Sequence, residues 1–429
     1  MEDLTKTKDN IKSKHLFSVY LICFIFLYAL FAMDRVKKIL SLTVEGYTIT
    51  NQFWIIPLIS LLLYGYKIVK TQQISFNKDN IFFLIYIYLY ILIIIVGGFN
   101  IGSISQFGYA GLLFIIPMLL FFPISKYSYE DIRILFKVFI ITCLIYEFFT
   151  IILVKNYAFF MGIVGNPVDN YRYYSQYRAT MMLGSSITVS YYFNLTLPLC
   201  FYMFYSSIDK KWRIISVFTI AVNVIASFAL LSRAATLSTI LILILNIFFF
   251  KNKTKSKNRK TILFILVIAA GMYASMNYDL SRLLMGFSSS EDSMSARLAA
   301  GNVGLFIFNK HPIIGSGIGK YFERVYDSKY IDVDGIIGLI DPHNMYILIM
   351  SELGIVGLII TILLFIHLFK RFSHIKDKYL KQTAYLTLAV ALLDALGGSH
   401  ILNEISYATI FWIYMGVFNA VATKDRRLQ

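Results

Sequence analysis

Residues 214–250 form an apolar run of 37 residues broken only by Ser232-Arg233. As one helix the run would measure about 55 Å, nearly twice a bilayer's hydrocarbon core of about 30 Å. Two helices with a tight turn at Ser232-Arg233 fit that thickness. Other runs, such as "HLFSVYLICFIFLYALFAM" (15–33) and "IFFLIYIYLYILIIIVGGF" (81–99), are long enough to cross singly. The chain is 58% hydrophobic and 15% charged, whereas soluble domains run about 45–50% apolar and about 25% charged. The fold class is therefore an all-α integral membrane protein. It has about 12 transmembrane helices, roughly 16–33, 51–66, 80–97, 108–124, 134–153, 187–206, 214–231, 234–250, 262–278, 343–368, 382–397 and 405–422, in a single polytopic membrane domain over 1–429.

Positive charge sets the orientation. With a cytoplasmic N-terminus, the inside segments hold 26 Lys and Arg against 13 outside, which supports both termini in the cytoplasm. The net charge of +16 then reads as topology anchors rather than a nucleic-acid surface. The basic N-terminus could resemble a signal peptide. Its apolar run is long and no small-x-small cleavage site follows, so an uncleaved first helix is expected. Cys23, Cys143 and Cys200 all fall in apolar runs and are poor candidates for a disulfide or a metal site.

Two outside segments are long: the loop 154–186, and the loop 279–342 between spans nine and ten. Loops of that length are uncommon without a function. Within the second, "SSSEDSMSARLAAGNVGLFIFNKHP" reads as an amphipathic helix. Ser and acidic residues mark its start, Met294, Leu298, Leu305 and Phe306 form its apolar stripe, and His311-Pro312 ends it. "GSGIG" (315–319) reads as a flexible turn, since no strand precedes it as a dinucleotide motif requires.

"DPHNMYILIMSELGIVGL" (341–358) opens the tenth span. Asp341 suits an N-cap and Pro342 the first helical position, which puts His343 in the first turn on the outer face. The positive helix end disfavours an imidazolium, and a neutral imidazole can accept a proton as a general base must. Position alone leaves a second reading open, an interfacial histidine that only caps a loop. Glu352 lies nine residues on, about 180° round the helix, and is not expected to share the histidine's face. Glu147 and Asp394 lie within spans, where each either pairs inside the bundle or lines a cavity.

Arg233 stands at the outer turn between spans seven and eight, Arg178 shortly before span six, and Arg297 on the loop helix. Each also fits a bland reading, as a snorkelling or solvated charge. Together, guanidinium groups hold phosphate oxygens bidentately at any relevant pH. The outer side of a cytoplasmic membrane offers no pool of nucleotide-activated donors. A group transfer there calls for a donor already in the membrane, of which a lipid diphosphate is the natural form. Arginines would neutralise the departing diphosphate and histidine would take the proton of the attacking hydroxyl. That face shows no acid cluster with metal-ligand spacing, so no metal or other cofactor is expected.

"SRAATL" (232–237), "SARLAAGNVGLFIFNKHPIIGSGIG" (295–319) and "HNMYILIMSELGIVGL" (343–358), in that order, resemble the O-antigen ligase and O-antigen polymerase superfamily of bacterial polysaccharide assembly. The resemblance covers the C-terminal half well. The N-terminal half is similar only in hydropathy and in "RATMMLGSSITVSYY" (178–192). It implies a metal-independent glycosyltransferase in the bacterial cytoplasmic membrane, acting on undecaprenyl-diphosphate-linked glycan at the periplasmic face. By the resemblance His343 activates the acceptor hydroxyl and Arg233 and Arg297 hold the diphosphate, with Arg178, Asn344 and His311 as substrate-binding residues. Implied partners are the lipid-linked oligosaccharide donor, a glycan acceptor, membrane lipid and a chain-length regulator protein. The full "HPIIGSGIG" favours a polymerase, which extends another lipid-linked repeat unit. The alternative is a ligase, which moves the glycan to lipid A core. A transporter of lipid-linked glycan should show deep charges and matching halves with broken helices, and the sequence shows few of the first and none of the second.

Overall fold

The computed structural model describes residues 42–44, 47–49, 55–71, 78–99, 115–156, 168–173, 176–179, 186–206, 209–230, 232–249, 257–277, 292–321, 342–398 and 404–427. The apolar runs within them are helical: α1 (Ile55–Thr71), α2 (Lys78–Phe99), α3 (Ile115–Ile124), α4 (Tyr129–Lys155), α5 (Ser186–Ser206), α6 (Lys210–Ala229), α7 (Arg233–Phe249), α8 (Lys257–Asn277), α9 (Asp292–Lys310), α10 (Met345–Phe372), α11 (Lys378–Gly397) and α12 (Ile405–Arg427). Among the described residues α4, α5, α6, α10 and α12 are long and apolar enough to cross a membrane. The expected first span, 16–33, lies outside the described residues. The run 214–250 does divide, with α6 ending at Ala229 and α7 starting at Arg233.

Two short antiparallel hairpins depart from the all-α expectation: β1 (Leu42–Val44) with β2 (Tyr47–Ile49), and β3 (Val168–Tyr173) with β4 (Gln176–Ala179). Their strands are rich in β-branched residues and tyrosine, which favour a pleated surface.

α5 and α12 form the centre. Both are buried nearly all round, as expected of helices without a polar face. Aromatic rings fill the space between helices: Phe83 stacks on Phe121 at 4.0 Å, with Trp412 edge-on at 5.5 Å. Small residues permit the closest approaches; a Cβ at Gly416 would stand 3.0 Å from Ile124 Cβ. The periphery carries exposed large apolar side chains such as Phe82, Phe264 and Met276, as a lipid-facing surface requires.

The bundle has two ends. At the lower end, Tyr129 Oη donates to Asp425 Oδ1 at 2.5 Å and Lys376 N to Asp425 Oδ2 at 2.8 Å, tying α4, α12 and the α10–α11 turn together. Ser128 and Asp131 form a capping box at the start of α4, and Asp377 caps α11. The upper end gathers the C-termini of α2, α4, α6, α8 and α11 with the N-termini of α5, α7 and α12. Lys155 Nζ donates there to Asn277 Oδ1 at 3.2 Å.

α9 forms where expected but turns a different face inward. Leu298 (58% exposed) and Leu305 (39%) point away from the protein, while Ala300, Gly301, Val303, Gly304 and Ile307 are buried. The small residues win because α10 packs against them closely. A Cβ on Gly301 would meet Ile347 Cδ1 at 3.6 Å, and one on Gly304 would meet Ile347 Cγ2 at 2.5 Å and Pro342 Cγ at 3.7 Å.

α10 is broken at Gly354, whose φ of 68° and ψ of −167° are not helical. "GSGIG", expected to be a flexible turn, is docked into the break. The helical bonds from Ile355 N to Ser351 O and from Val356 N to Glu352 O are replaced by bonds to the loop. Ile355 N donates to Pro312 O (2.9 Å) and Val356 N to Ile313 O (3.2 Å), while Ser316 N donates to Ser351 O (2.9 Å) and Gly317 N to Glu352 O (2.9 Å). These four backbone groups, freed inside an apolar bundle, are thus satisfied. Gly315, Gly317 and Gly319 have φ of 75°, 108° and 74°, which side-chain-bearing residues rarely adopt. The break also bends α10. A straight helix would put Tyr346 about 34 Å from Phe369. Yet Tyr346 Oη donates to Leu392 O at 3.2 Å and Phe369 stacks on Tyr385 at 4.5 Å, and those partners are only about 10 Å apart along α11. The first half of α10 therefore leans over the upper end of α11. The second half alone, from Ile355, spans about 27 Å, close to a bilayer core.

Candidate active site

α10 begins later than expected. Asn344 is the N-cap (φ −150°, ψ 114°), and its side-chain oxygen accepts from Tyr346 N at 3.0 Å and Ile347 N at 3.2 Å. Two of the helix's orphan donors are thereby met. Asp341, expected as the cap, lies outside the described residues. Pro342 is buried, and His343, expected in the first turn, instead immediately precedes the cap.

His343 has a φ of 47° and is the one non-glycine residue with positive φ among those described. The left-handed region costs an L-residue roughly 1–2 kcal/mol. Such outliers persist where surrounding structure holds them, and they cluster at functional sites. His343 is half-buried and its Nδ1 is fully buried. It directly precedes the N-cap of α10.

Arg297 lies on α9, four residues before Gly301 and seven before Gly304, hence on the face that meets α10. It is half-buried. The crossing point touches Pro342, the neighbour of His343, and Arg297 stands about 10 Å from it along α9. These two candidates are thus carried on adjoining elements.

Arg233 is the first residue of α7, and its side chain lies outside the described set. The turn before it is fixed by Thr236, whose Oγ1 donates to Ser227 O at 3.2 Å and Ser232 O at 3.1 Å. α11 links this helix to the start of α10. Leu392 O receives the Tyr346 hydroxyl, three residues beyond His343. Two residues further on, buried Asp394 faces Ser238 of α7, Asn194 of α5 and Tyr407 of α12. Thr239 Oγ1 donates to Asn194 Oδ1 at 2.8 Å within the same group. The upper end of α11 therefore lies between the helices that begin at Arg233 and near His343.

Arg178 is on β4, register-paired with Asp169. Its strand packs on α4 and α5 at the upper end, a different corner from the α9–α10 crossing. His311 closes α9: its N–H donates to Ile307 O and its carbonyl accepts from Gly315 N at 3.1 Å. Glu352 Oε1 accepts from Tyr321 N at 3.2 Å, which holds the return of the docked loop. Glu147 pairs inside the bundle, accepting from Asn223 Nδ2 at 2.7 Å and Cys143 Sγ at 3.3 Å. Cys143 and Cys200 are free and buried.

Sequence reasoning did not find the loop-filled break at Gly354. Its signal was the polar pair Ser351-Glu352 with Gly354 two residues on, within an otherwise apolar helix.

Residues 214–362 match the family model of the O-antigen ligase domain. The match runs from α6 into the second half of α10. It includes Arg233, Arg297, His311, His343 and Asn344, and excludes Arg178. It supports the O-antigen ligase and polymerase superfamily, the one resembled by the sequence motifs. No curated protein matches the chain.

Proposed function

From a membrane protein whose residues 214–362 carry the O-antigen ligase domain, we propose a glycosyltransferase that moves a glycan from a lipid diphosphate to a hydroxyl acceptor. The observation that carries this reading is His343, held in a left-handed conformation at the start of α10 beside the crossing of α9.

In the proposed step, His343 accepts the proton of the acceptor hydroxyl as its oxygen attacks C1 of the donor sugar. The new C1–O bond forms as the bond from C1 to the diphosphate oxygen breaks. The lipid diphosphate leaves with that electron pair, and the guanidinium groups of Arg297 and Arg233 meet its charge. Arg178 and His311 contact substrate more peripherally. Asn344 does so through its amide nitrogen, its oxygen being committed to the cap. The protein's own cations do the work usually given to a metal, so transfer is expected to persist in chelator.

The topology proposed with this chemistry is about twelve spans with both termini in the cytoplasm. The upper end is then the periplasmic face of the bacterial cytoplasmic membrane, and the carrier is undecaprenyl diphosphate. The acceptor is another lipid-linked repeat unit, as in a polymerase, with a chain-length regulator as partner. A second reading, a ligase using lipid A core as acceptor, is favoured by the description of the matching family. Deletion of the gene with electrophoresis of the surface glycan separates them. A polymerase deletion leaves single repeat units on the core. A ligase deletion leaves bare core with long glycan on the carrier. An unchanged glycan would refute both.

A further inference from the structure

The proposed transfer step makes no use of Glu147. This residue lies on α4, about 12 Å below its upper end at Lys155, and is 0% exposed. An ionised carboxylate so placed is costly unless something offsets its charge. Among the described residues its partners are neutral: Oε1 accepts from Asn223 Nδ2 of α6 at 2.7 Å and from Cys143 Sγ at 3.3 Å. Asn223 is itself buried, at 1% exposed. Glu147 Oε2 and Asn223 Oδ1, the two remaining oxygens of this pair, are both buried and accept no hydrogen bond.

Two orphaned acceptors on one bonded pair call for a donor. An ionised carboxylate and an amide oxygen can only accept, whereas a protonated glutamic acid has one O–H to give. A single proton on Oε2, donated to Asn223 Oδ1 directly or through one water, satisfies both atoms and removes the buried charge. The titratable groups that face Glu147 among the described residues are the Cys143 thiol of α4 and the Cys200 thiol and Tyr192 hydroxyl of α5. Oε2 receives a hydrogen from none of them. Cys143 is directed at Oε1, and Tyr192 Oη pairs with Thr142 Oγ1 at 2.9 Å. β4 also packs on α4, and its side chains lie outside the described residues.

The pair is placed to matter for Arg233. Ser227 lies one turn above Asn223 on the same face of α6. Its carbonyl accepts from Thr236 Oγ1 at 3.2 Å, and its Oγ pairs with Thr239 Oγ1 at 3.0 Å. This face of α6 therefore holds the first turns of α7, the helix that begins at Arg233. We propose that Glu147 is a proton-carrying positioning residue, which with its proton in place fastens α6 to α4 through Asn223 and so fixes the start of α7. Loss of the proton leaves an uncompensated charge between α4 and α6 and loosens that packing. A glutamate in the unfolded chain ionises at about pH 4.3, whereas the folded pair needs the proton. The stabilisation is thus complete in acid and is lost as pH rises. The proposal rests on the glycosyltransferase reading only for the consequence at Arg233.

The test compares the full chain, purified in one detergent, as parent, Glu147→Gln and Glu147→Ala. Gln replaces the acid O–H by an amide N–H and stays neutral at every pH. At neutral pH Glu147→Gln should unfold near the parent temperature and transfer lipid-linked glycan within about threefold of the parent rate. Glu147→Ala should unfold well below both. As pH rises, the parent should lose thermal stability, and about tenfold in transfer, relative to the Gln variant. Titration of His343 is common to both and cancels in that comparison. The infrared difference between parent and Gln variant at neutral pH should contain the carbonyl band of a protonated carboxylic acid. Absence of that band, a Gln variant as damaged as Ala, or a parent stability that depends on added Na+ and loses that dependence in Gln, would overturn the proton. Parallel pH profiles of transfer beside divergent profiles of unfolding would remove the link to Arg233. The infrared and unfolding measurements need no substrate. Their success in a chain that transfers no glycan would refute the transferase reading and leave the proton site standing.

Discussion

Gly315 and Gly354 meet with no room for a side chain between them: a Cβ on Gly354 would stand 2.6 Å from Gly315 N and 2.3 Å from Ile313 O. A Cβ on Gly315 would stand 2.2 Å from the carbonyl carbon of Glu352. The obstacles are backbone atoms, which cannot swing aside, and both glycines have positive φ (75° and 68°). This contact lets the loop after α9 replace the missing helical bonds of α10.

Gly315→Ala and Gly354→Ala should therefore each destabilise the protein by about 3 kcal/mol or more, from overpacking and strain together. Gly65→Ala and Gly271→Ala are the controls. Nothing lies within 4 Å of a Cβ at either position, and both lie in helices, so each should be neutral or stabilising by up to about 1 kcal/mol. Thermal unfolding in one detergent, compared across the four variants, checks this. Equal behaviour of the two sets would remove the docked loop from the account.

Gly301→Ala and Gly304→Ala separate the two contacts of the α9–α10 crossing. At Gly301 the new methyl meets Ile347 Cδ1 at 3.6 Å, an ordinary contact. That variant should be at least as stable as the parent. At Gly304 it meets Ile347 Cγ2 at 2.5 Å, and the two helices must shift. Transfer activity should fall more in Gly304→Ala than in Gly301→Ala, since Arg297 and the neighbour of His343 are carried on the two sides of that crossing. Relative rates from purified variants decide.

Asn344→Ala removes the cap of α10 and should cost about 1 kcal/mol of stability. Transfer should fall as the ring of His343 loses its frame. Asn344→Asp or Asn344→Ser retains a capping oxygen and should restore the stability. Failure of both to restore it would mean that the side chain matters for something other than its bonds to Tyr346 N and Ile347 N.

Arg297→Lys and Arg233→Lys keep the charge and lose the two-pronged guanidinium. Each should lose most of its transfer activity while unfolding at nearly the parent temperature. Full activity in either variant would end the bidentate phosphate role for that residue.

The helices and the division at Ser232-Arg233 were legible because apolar run length is a local signal with a fixed physical scale. The start of α10 was placed at Asp341 rather than Asn344, since both are good caps and only the fold selects between them. The buried face of α9 was misread for a related reason. Leu298 and Leu305 look like core residues, but contact distance favours Gly301 and Gly304. The docked "GSGIG" could not be seen as docked, because its partners are backbone atoms some 35 to 40 residues further along. The candidate residues were proposed from type and position, whereas the place of α11 between α7 and α10 exists only in the folded chain.

The most direct measurement is transfer by purified His343→Ala with lipid-linked glycan, run beside a binding assay for the same substrate. Loss of a general base lowers rates by about 10² to 10⁴, so transfer should fall at least a hundredfold while substrate binding changes little. Transfer at the parent rate by a folded His343→Ala protein would contradict the account.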